Sequence, residues 1–212
     1  MEKIEILFEN EDFIAANKPE GLLTIKGRGI GGEENLFDLL KKNLGKIYTV
    51  HRLDRDASGI VVFAKNPGAH KYLGMMFEKR LVKKKYYAFV RGNPRDAKGR
   101  IDAPVKDGSR RCSVHFEGKK SITDYFVLKR YDKIAFVELS PLTGRRHQLR
   151  VHMNYINHPI LGDRLYGNLR EQAVYPRLLL HCFSIEFSLP SANLLKLRKD
   201  PPQSFFDIPF SV

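Results

Sequence analysis

From Ile60 to Ala64 the chain runs Ile-Val-Val-Phe-Ala without a polar break, introduced by Ser58-Gly59. A short, β-branched apolar run behind a glycine turn predicts a strand buried on both faces. Ile4 to Phe8 and Phe13 to Ala16 read as shorter strands around Asn10-Glu11-Asp12. Helical spacing follows, with Leu36, Phe37, Leu39, Leu40 and Leu44 on one face, Asn35 in the capping position and Gly45 at the stop. A second helix is predicted from Pro67, capped by Asn66 and burying Tyr72, Leu73, Met76 and Phe77. Strand character returns at Tyr86 to Val90. Between Ser113 and Leu139 the alternation in ITDYFVLKR and IAFVEL, split by Tyr131-Asp132-Lys133, predicts a hairpin. A third helix is placed within His147 to Ile156, where Leu149, Met153 and Ile156 share a face and His158-Pro159 ends it. Leu178 to Leu180 and Phe183 to Leu189 read as further strands. Strands interrupted by isolated helices, with no steady βαβ rhythm, predict an α+β fold and not a doubly wound sheet.

No repeat, low-complexity tract or long polar linker divides the chain, and a single domain over residues 1–212, with two lobes at most, is expected. Lys26 to Glu34, with Gly27, Gly29, Gly31 and Gly32, reads as its most flexible stretch. The C-terminal PPQSFFDIPF is too apolar for a free tail, so Phe205, Phe206 and Phe210 are expected to pack back on the domain.

Charge adds the first functional constraint. Lys+Arg number 37 against 24 Asp+Glu, a formal net charge of +13 on a chain that is 42% hydrophobic. A globular protein with so basic a surface points to a polyanion. No long apolar run or basic amphipathic helix supports a membrane, so RNA or DNA is the expected partner class. The opening MEKIEILFEN has no apolar core of the kind a secretory signal needs, so residence in the cytoplasm is expected. Cys112 and Cys182 lack CxxC partners and read as ordinary small apolar residues, not as a disulfide or zinc pair.

Candidate chemistry concentrates in three segments. HRLDRDASG, positions 51–59, sets Asp54 among His51, Arg52 and Arg55 beside the apolar strand. An aspartate between arginines is most often a solvated ion pair or a turn cap. The tight turn into a buried strand changes that balance, because a carboxylate fixed there is held by the core. To stay ionised when buried it needs a cation, and arginine suits because it remains charged and binds carboxylate with two parallel hydrogen bonds. In LTGRRHQLRVHM, Thr143-Gly144 makes a sharp turn, and Arg145, Arg146, His147 and Arg150 are placed on the first turns of the third helix, where backbone N–H groups also favour anions. Arg146 and Arg150 would there share a face. The plain alternative is a phosphate-binding helix start. KKKYYAFVRG, with Lys84, places Tyr86 and Tyr87 on opposite faces of a strand, one for the core and one for solvent or a cleft, where a ring can stack on a base.

A metal site is not expected. His147 and His152 stand about 140° apart around a helix, and His158, His181 and Asp163 supply no ligand spacing. Asp54 and Asp56 could form a magnesium pair as in nucleases, but no third acidic residue lies nearby.

Taken in order, HRLDRDASGIVVFAK, KKKYYAFVRG and LSPLTGRRHQLRVHM, followed by HPILGDRLYG and RLLLH and preceded by ILFENEDFIAANKPEGLL, resemble the motifs of RluA-family pseudouridine synthases. The resemblance covers nearly the whole chain. It implies a mixed, largely antiparallel sheet with flanking helices and a central catalytic cleft. It also implies a reaction in which uridine in ribosomal or transfer RNA becomes pseudouridine with no cofactor. The family's catalytic aspartate falls on Asp54, its arginine partner on Arg150 and its active-site tyrosine on Tyr86. Arg52 matches the arginine that fills the place vacated by the flipped nucleotide. Arg55, Lys84, Arg145, Arg146 and His147 complete the expected RNA-binding set. Ala57 departs from the family's usual threonine, and Ile60 to Phe63 from its leucine-rich run. With strands beginning at Ile4, no separate N-terminal RNA-binding domain is expected, and nothing demands more than a monomer. An RNA-binding or RNA-chaperone module without turnover, and a magnesium nuclease, are the competing readings.

Overall fold

In the computed structural model, which describes residues 4–27 and 33–208, both asparagine caps form as the sequence predicts. The elements in chain order are β1 (Glu5–Glu9), β2 (Phe13–Lys18), α1 (Leu36–Leu44), β3 (Tyr48–Thr49), β4 (Ser58–Ala64) and α2 (Pro67–Glu78). Next come β5 (Lys83–Arg91), β6 (Lys98–Asp102), β7 (Val105–Lys106), β8 (Ser113–Val114), β9 (Ile122–Arg130) and β10 (Ile134–Pro141). The chain continues with α3 (Gln148–Tyr155), α4 (Leu169–Gln172), β11 (Leu180–Ser188) and β12 (Leu194–Arg198). This is an α+β fold. Phe210 and most of the glycine-rich stretch, including Gly29, Gly31 and Gly32, lie outside the described residues.

The chain forms two units, Met1–Lys83 with Cys182–Asp200, and Lys84–His181 with Pro201–Val212. In the first, β4 is buried along its whole length, as an unbroken apolar run requires. It pairs antiparallel with β2 and with the short β3, and β1 extends the β2 side. β11, from Cys182 onward, lies beside β4 and pairs antiparallel with β12. Asn35 accepts from the Asp38 N–H at 3.0 Å and returns a 2.7 Å bond to the Asp38 carboxylate, a reciprocal cap that starts α1. Asn66 caps α2 through the Ala69 N–H at 2.8 Å. Phe13 meets Phe187 edge-on at 5.8 Å in the interior.

In the second unit β10 pairs antiparallel with β5 on one side and β9 on the other, and β6 extends β9. The β9–β10 hairpin closes at Tyr131, whose N–H donates to Ile134 O at 2.9 Å. A core of Phe89, Ile134, Leu161, Tyr175, Leu179, Phe205 and Ile208 fills this unit. Phe205 is fully buried there, and Phe206 packs edge-on against Phe89 while keeping 39% exposure.

Three expectations about elements are corrected. Leu178 to Leu180 and Phe183 to Leu189 are not two strands; Leu180–Ser188 is one, because His181 near its start is buried and continues the extended run. The third helix starts at Gln148, so Arg145 and Arg146 precede it and do not occupy its first turns. Arg146 and Arg150 therefore share no helical face. β3, β6, β7, β8 and β12 join the expected strands, being short or, as in Lys98-Gly99-Arg100, too polar to carry a period-two signal.

Candidate functional site

Asp54 is half-buried in the irregular segment just before β4. The backbone of the residues on either side of it, Leu53 and Arg55, is held from within the first unit. Thr24, 2% exposed, donates its hydroxyl to Leu53 O at 3.0 Å and accepts the Leu53 N–H at 3.1 Å. Lys18 is fully buried at the end of β2, and its ammonium donates to Arg55 O at 2.9 Å, Leu22 O at 2.7 Å and Pro19 O at 2.8 Å. Backbone groups flanking the carboxylate are thus fixed by charge-assisted and buried bonds of the stronger kind. Gly59 admits the close approach behind this loop: at φ +113 it lies so near β11 that a Cβ would come within 2.3 Å of Cys182 O. The cationic neighbours differ in their surroundings. Arg52 is exposed, whereas exposed Arg55 donates through Nε to Gly21 O at 3.1 Å and lies 3.4 Å from Glu33. His51 accepts the Val62 N–H at Nε2, 2.9 Å away, and stacks on Phe77 at 4.8 Å, so this ring serves the strand edge.

The second unit gathers the other motif residues. Arg150 is 5% exposed on α3 and Asp163 is 1% exposed; Nε and Nη2 each donate to one carboxylate oxygen at 2.8 Å. Asp163 Oδ1 also accepts the N–H groups of Leu165 and Tyr166 at 3.0 and 3.1 Å, which locks the turn carrying Tyr166. The Arg150 guanidinium lies 5.2 Å from the Tyr166 ring centre, within cation–π range. Tyr166 OH accepts the Cys112 N–H at 2.8 Å and lies 2.8 Å from His147 Nδ1. The phenol thus links the Cys112 backbone to the His147 ring. Burial raises the Tyr166 pKa to about 12, keeping the phenol protonated as this network needs.

His147 precedes α3 in the left-handed region at φ +55, a strained position for a residue with a side chain. No side-chain cap comes from it. Instead Gln148, 4% exposed, accepts the Arg145 N–H at 3.1 Å and the Thr143 hydroxyl at 2.7 Å, and donates to Ile122 O and the Thr123 hydroxyl, both at 3.0 Å. Arg146 turns to the β7–β8 loop, pairing with Asp107 at 2.7 Å and hydrogen bonding to Gly108 O. The Cys112 thiol, 3.3 Å from Asp107, and secondarily Arg146 hold that carboxyl below its ordinary pKa. Arg145 is exposed, and Lys84 Nζ approaches the same turn, 3.7 Å from where a Cβ on Gly144 would stand.

Tyr86 and Tyr87 split between faces as the strand period demands. Tyr87 packs 5.0 Å from Phe136 beside the second unit's core, and Tyr86, opposite Leu139, is 7% exposed. The histidines do not converge. His152 bridges the Thr123 hydroxyl and Ala103 O at 2.9 Å each, with its pKa lowered by burial; His158 meets Arg91 O, and His181 lies against Phe205. Among the described residues no cluster of His, Cys, Asp and Glu has the makings of a metal site.

Lys18, Thr24, Asp163 and Tyr166 are the residues that sequence reasoning missed as site components. Lys18 had a signal, a lysine closing an apolar strand directly before Pro19. Asp163 offered only the Leu-Gly-Asp turn after HPI.

The family model described as RNA pseudouridylate synthase matches residues 12–155, a span that includes Asp54, Tyr86 and Arg150. The dual-specificity RNA pseudouridine synthase RluA of Vibrio cholerae is 37% identical over 197 residues, 91% of this chain and 80% of that protein. Its namesake from Escherichia coli K12 is 37% identical over 191 residues, 88% of this chain and 87% of that one. Among solved structures, human RNA Pseudouridylate Synthase Domain Containing 1 matches with a TM-score of 0.81 at 26% identity, covering 94% of this chain and 84% of that one.

Proposed function

The chain belongs to the RNA pseudouridylate synthase family, and on that premise we propose that it converts uridine to pseudouridine in structured RNA with Asp54 as the nucleophile. Overall the reaction is an isomerisation. The bond from N1 of uracil to C1′ of ribose breaks, the freed base rotates, and C5 bonds to C1′ with loss of the C5 proton and return of a proton to the base. Nothing is oxidised and no group is imported, so the reaction needs a positioned carboxylate and electrostatic support and no redox or group-carrying cofactor.

The observation that carries this reading is the hold on the Asp54 loop. A nucleophile must be kept in one attack geometry, and Thr24 and Lys18 hold the backbone of Leu53 and Arg55, the residues before and after Asp54, beside a fully buried strand. Arg150, itself held by Asp163, is proposed as the cation that keeps Asp54 ionised, and Tyr86 as the ring that stacks on the target uracil. A base inside folded RNA is out of reach, so the nucleotide is flipped at a cost of about a few kcal/mol, with Arg52 filling the vacancy. Arg55, Lys84, Arg145 and His147 contact the RNA backbone, and Arg146 contributes through the β7–β8 loop that it holds. The proposed substrates are ribosomal RNA, transfer RNA or both, and the protein is proposed to act in the cytoplasm as a monomer.

Release of tritium from RNA labelled at C5 of uridine tests this reading, with wild type and Asp54→Asn in parallel and a chelator in half the samples. Release by the wild type in both conditions, and none by Asp54→Asn at retained RNA affinity, is expected. No release by the wild type from ribosomal and transfer RNA that it binds would leave a non-catalytic RNA-binding module. Chelator-sensitive RNA cleavage would mark a nuclease.

A further inference from the structure

Phe116 is 84% exposed on a small, strongly basic arm of the second unit. β7 and β8 pair antiparallel, with Val105 opposite Val114, and the chain after β8 turns back so that Val105 and Lys119 exchange hydrogen bonds at 3.0 and 2.9 Å. Between them His115-Phe116-Glu117-Gly118 makes a tight turn, closed by the Gly118 N–H on His115 O at 2.8 Å. Gly118 is required there, since a Cβ would come within 2.5 Å of the Val105 backbone. The turn presents the Phe116 ring outward, supported on one side by the His115 ring at 4.5 Å with 29° between planes. One aromatic face is therefore backed and the ring is open to solvent elsewhere.

The arm that carries this ring is basic. Arg110 and Arg111 in the β7–β8 loop and Lys119 and Lys120 after the turn are exposed, and among the described residues none of the four meets a carboxylate. The arm's own acids are already engaged: Glu117 pairs with Lys106 and Asp107 with Arg146. Asp107–Arg146 and the Cys112 N–H to Tyr166 OH bond anchor the arm to the segment that leads into α3 and to the turn that holds Arg150. Phe116 leaves most of its ring open to solvent. On a preformed turn of an arm that carries these cations, it has the chemistry of a stacking platform for an unpaired base, with phosphates met by the arginines and lysines.

We propose that the arm from Val105 to Lys120 is an RNA-contacting element in which Phe116 stacks on an unpaired nucleobase outside the target uridine's own site. This rests on the reading of the chain as an RNA-modifying enzyme and adds a second point at which the substrate is held. Stacking on an aromatic ring contributes about 1–3 kcal/mol per base, so Phe116→Ala is expected to weaken RNA binding roughly 5- to 150-fold. Phe116→Leu, which keeps an apolar side chain, should rescue little, and Phe116→Tyr most of the affinity.

The chain contains no tryptophan, so Phe116→Trp introduces a single indole at the tip of the arm. Its fluorescence is expected to be quenched on titration with unmodified transfer RNA and unaffected by heparin, which supplies anionic groups without bases. Unchanged emission on binding RNA with wild-type affinity would overturn the proposal. So would full RNA affinity in Phe116→Ala, and if that variant instead altered self-association in sedimentation, the patch would be a protein contact. Tritium release by the wild type without quenching defeats this inference alone. Quenching without tritium release defeats the catalytic reading and leaves the arm an RNA contact.

Discussion

Asp163→Asn is the most discriminating single change in the second unit, because it alters charge and almost nothing else. Asparagine has the shape of aspartate, and its Oδ1 can still accept the Leu165 and Tyr166 N–H groups that Asp163 Oδ1 holds at 3.0 and 3.1 Å. At the other oxygen, however, an NH₂ group replaces the acceptor of the Arg150 Nε–H, which bonds Oδ2 at 2.8 Å. Two donors then face one another beside a guanidinium that is only 5% exposed. Breaking a buried pair from one side costs about 3–5 kcal/mol, since the remaining charge loses its hydrogen-bonded counter-ion. For a protein of this length each kcal/mol shifts the melting temperature by about 2–4 °C, so the expected fall is about 6–20 °C. Scanning calorimetry at pH 7 measures it. Replacing both partners, as Arg150→Met with Asp163→Leu, should cost clearly less than the two single changes summed, because each single change breaks the same hydrogen bonds and the double variant breaks them once. A fall below about 3 °C for Asp163→Asn, or strict additivity in the double variant, would refute the view that this ion pair holds α3 to the Asp163 turn.

Two further outcomes follow from the same geometry. Lys18→Met removes three buried charge-assisted hydrogen bonds while sparing the cost of desolvating an ammonium. It should destabilise the protein by ~2–4 kcal/mol and lower kcat for tritium release with little change in KM; an unchanged kcat in the folded variant would show that Asp54 needs no such support. His152, whose pKa is lowered by burial from 6.5, stays neutral in the fold while the unfolded chain takes up a proton first. Its contribution to stability is therefore complete above the unfolded pKa and declines as pH falls from there toward the folded value. Thermal melts between pH 8 and 5 should show this decline in the wild type and a shallower one in His152→Gln, and equal slopes would remove His152 as its source.

Much of the secondary structure was legible along the chain because its signals are local. An unbroken apolar run specified β4, asparagines in capping positions specified the starts of α1 and α2, and alternation around Tyr131-Asp132-Lys133 specified the β9–β10 hairpin. The motif around Asp54 was equally visible, since a carboxylate among arginines at the mouth of a buried strand is a sequence pattern. Polar short strands such as β6 and β12 carry no comparable period, and only their pairing with β9 and β11 makes them strands.

Partner choice belonged to the tertiary structure. Arg146 and Arg150 look interchangeable in GRRHQLR, yet one pairs with Asp107 and the other with Asp163, because the left-handed turn at His147 sends the first away from the helix that carries the second. Lys18 shows in the sequence only as a lysine closing an apolar strand, and the fold alone places the Leu22 and Arg55 carbonyls around its ammonium. Hydrophobic and capping preferences act between neighbours and survive in the sequence as spacing. A charge finds its counterpart only once distant segments are brought together, and burial then decides whether that pair is held or merely solvated.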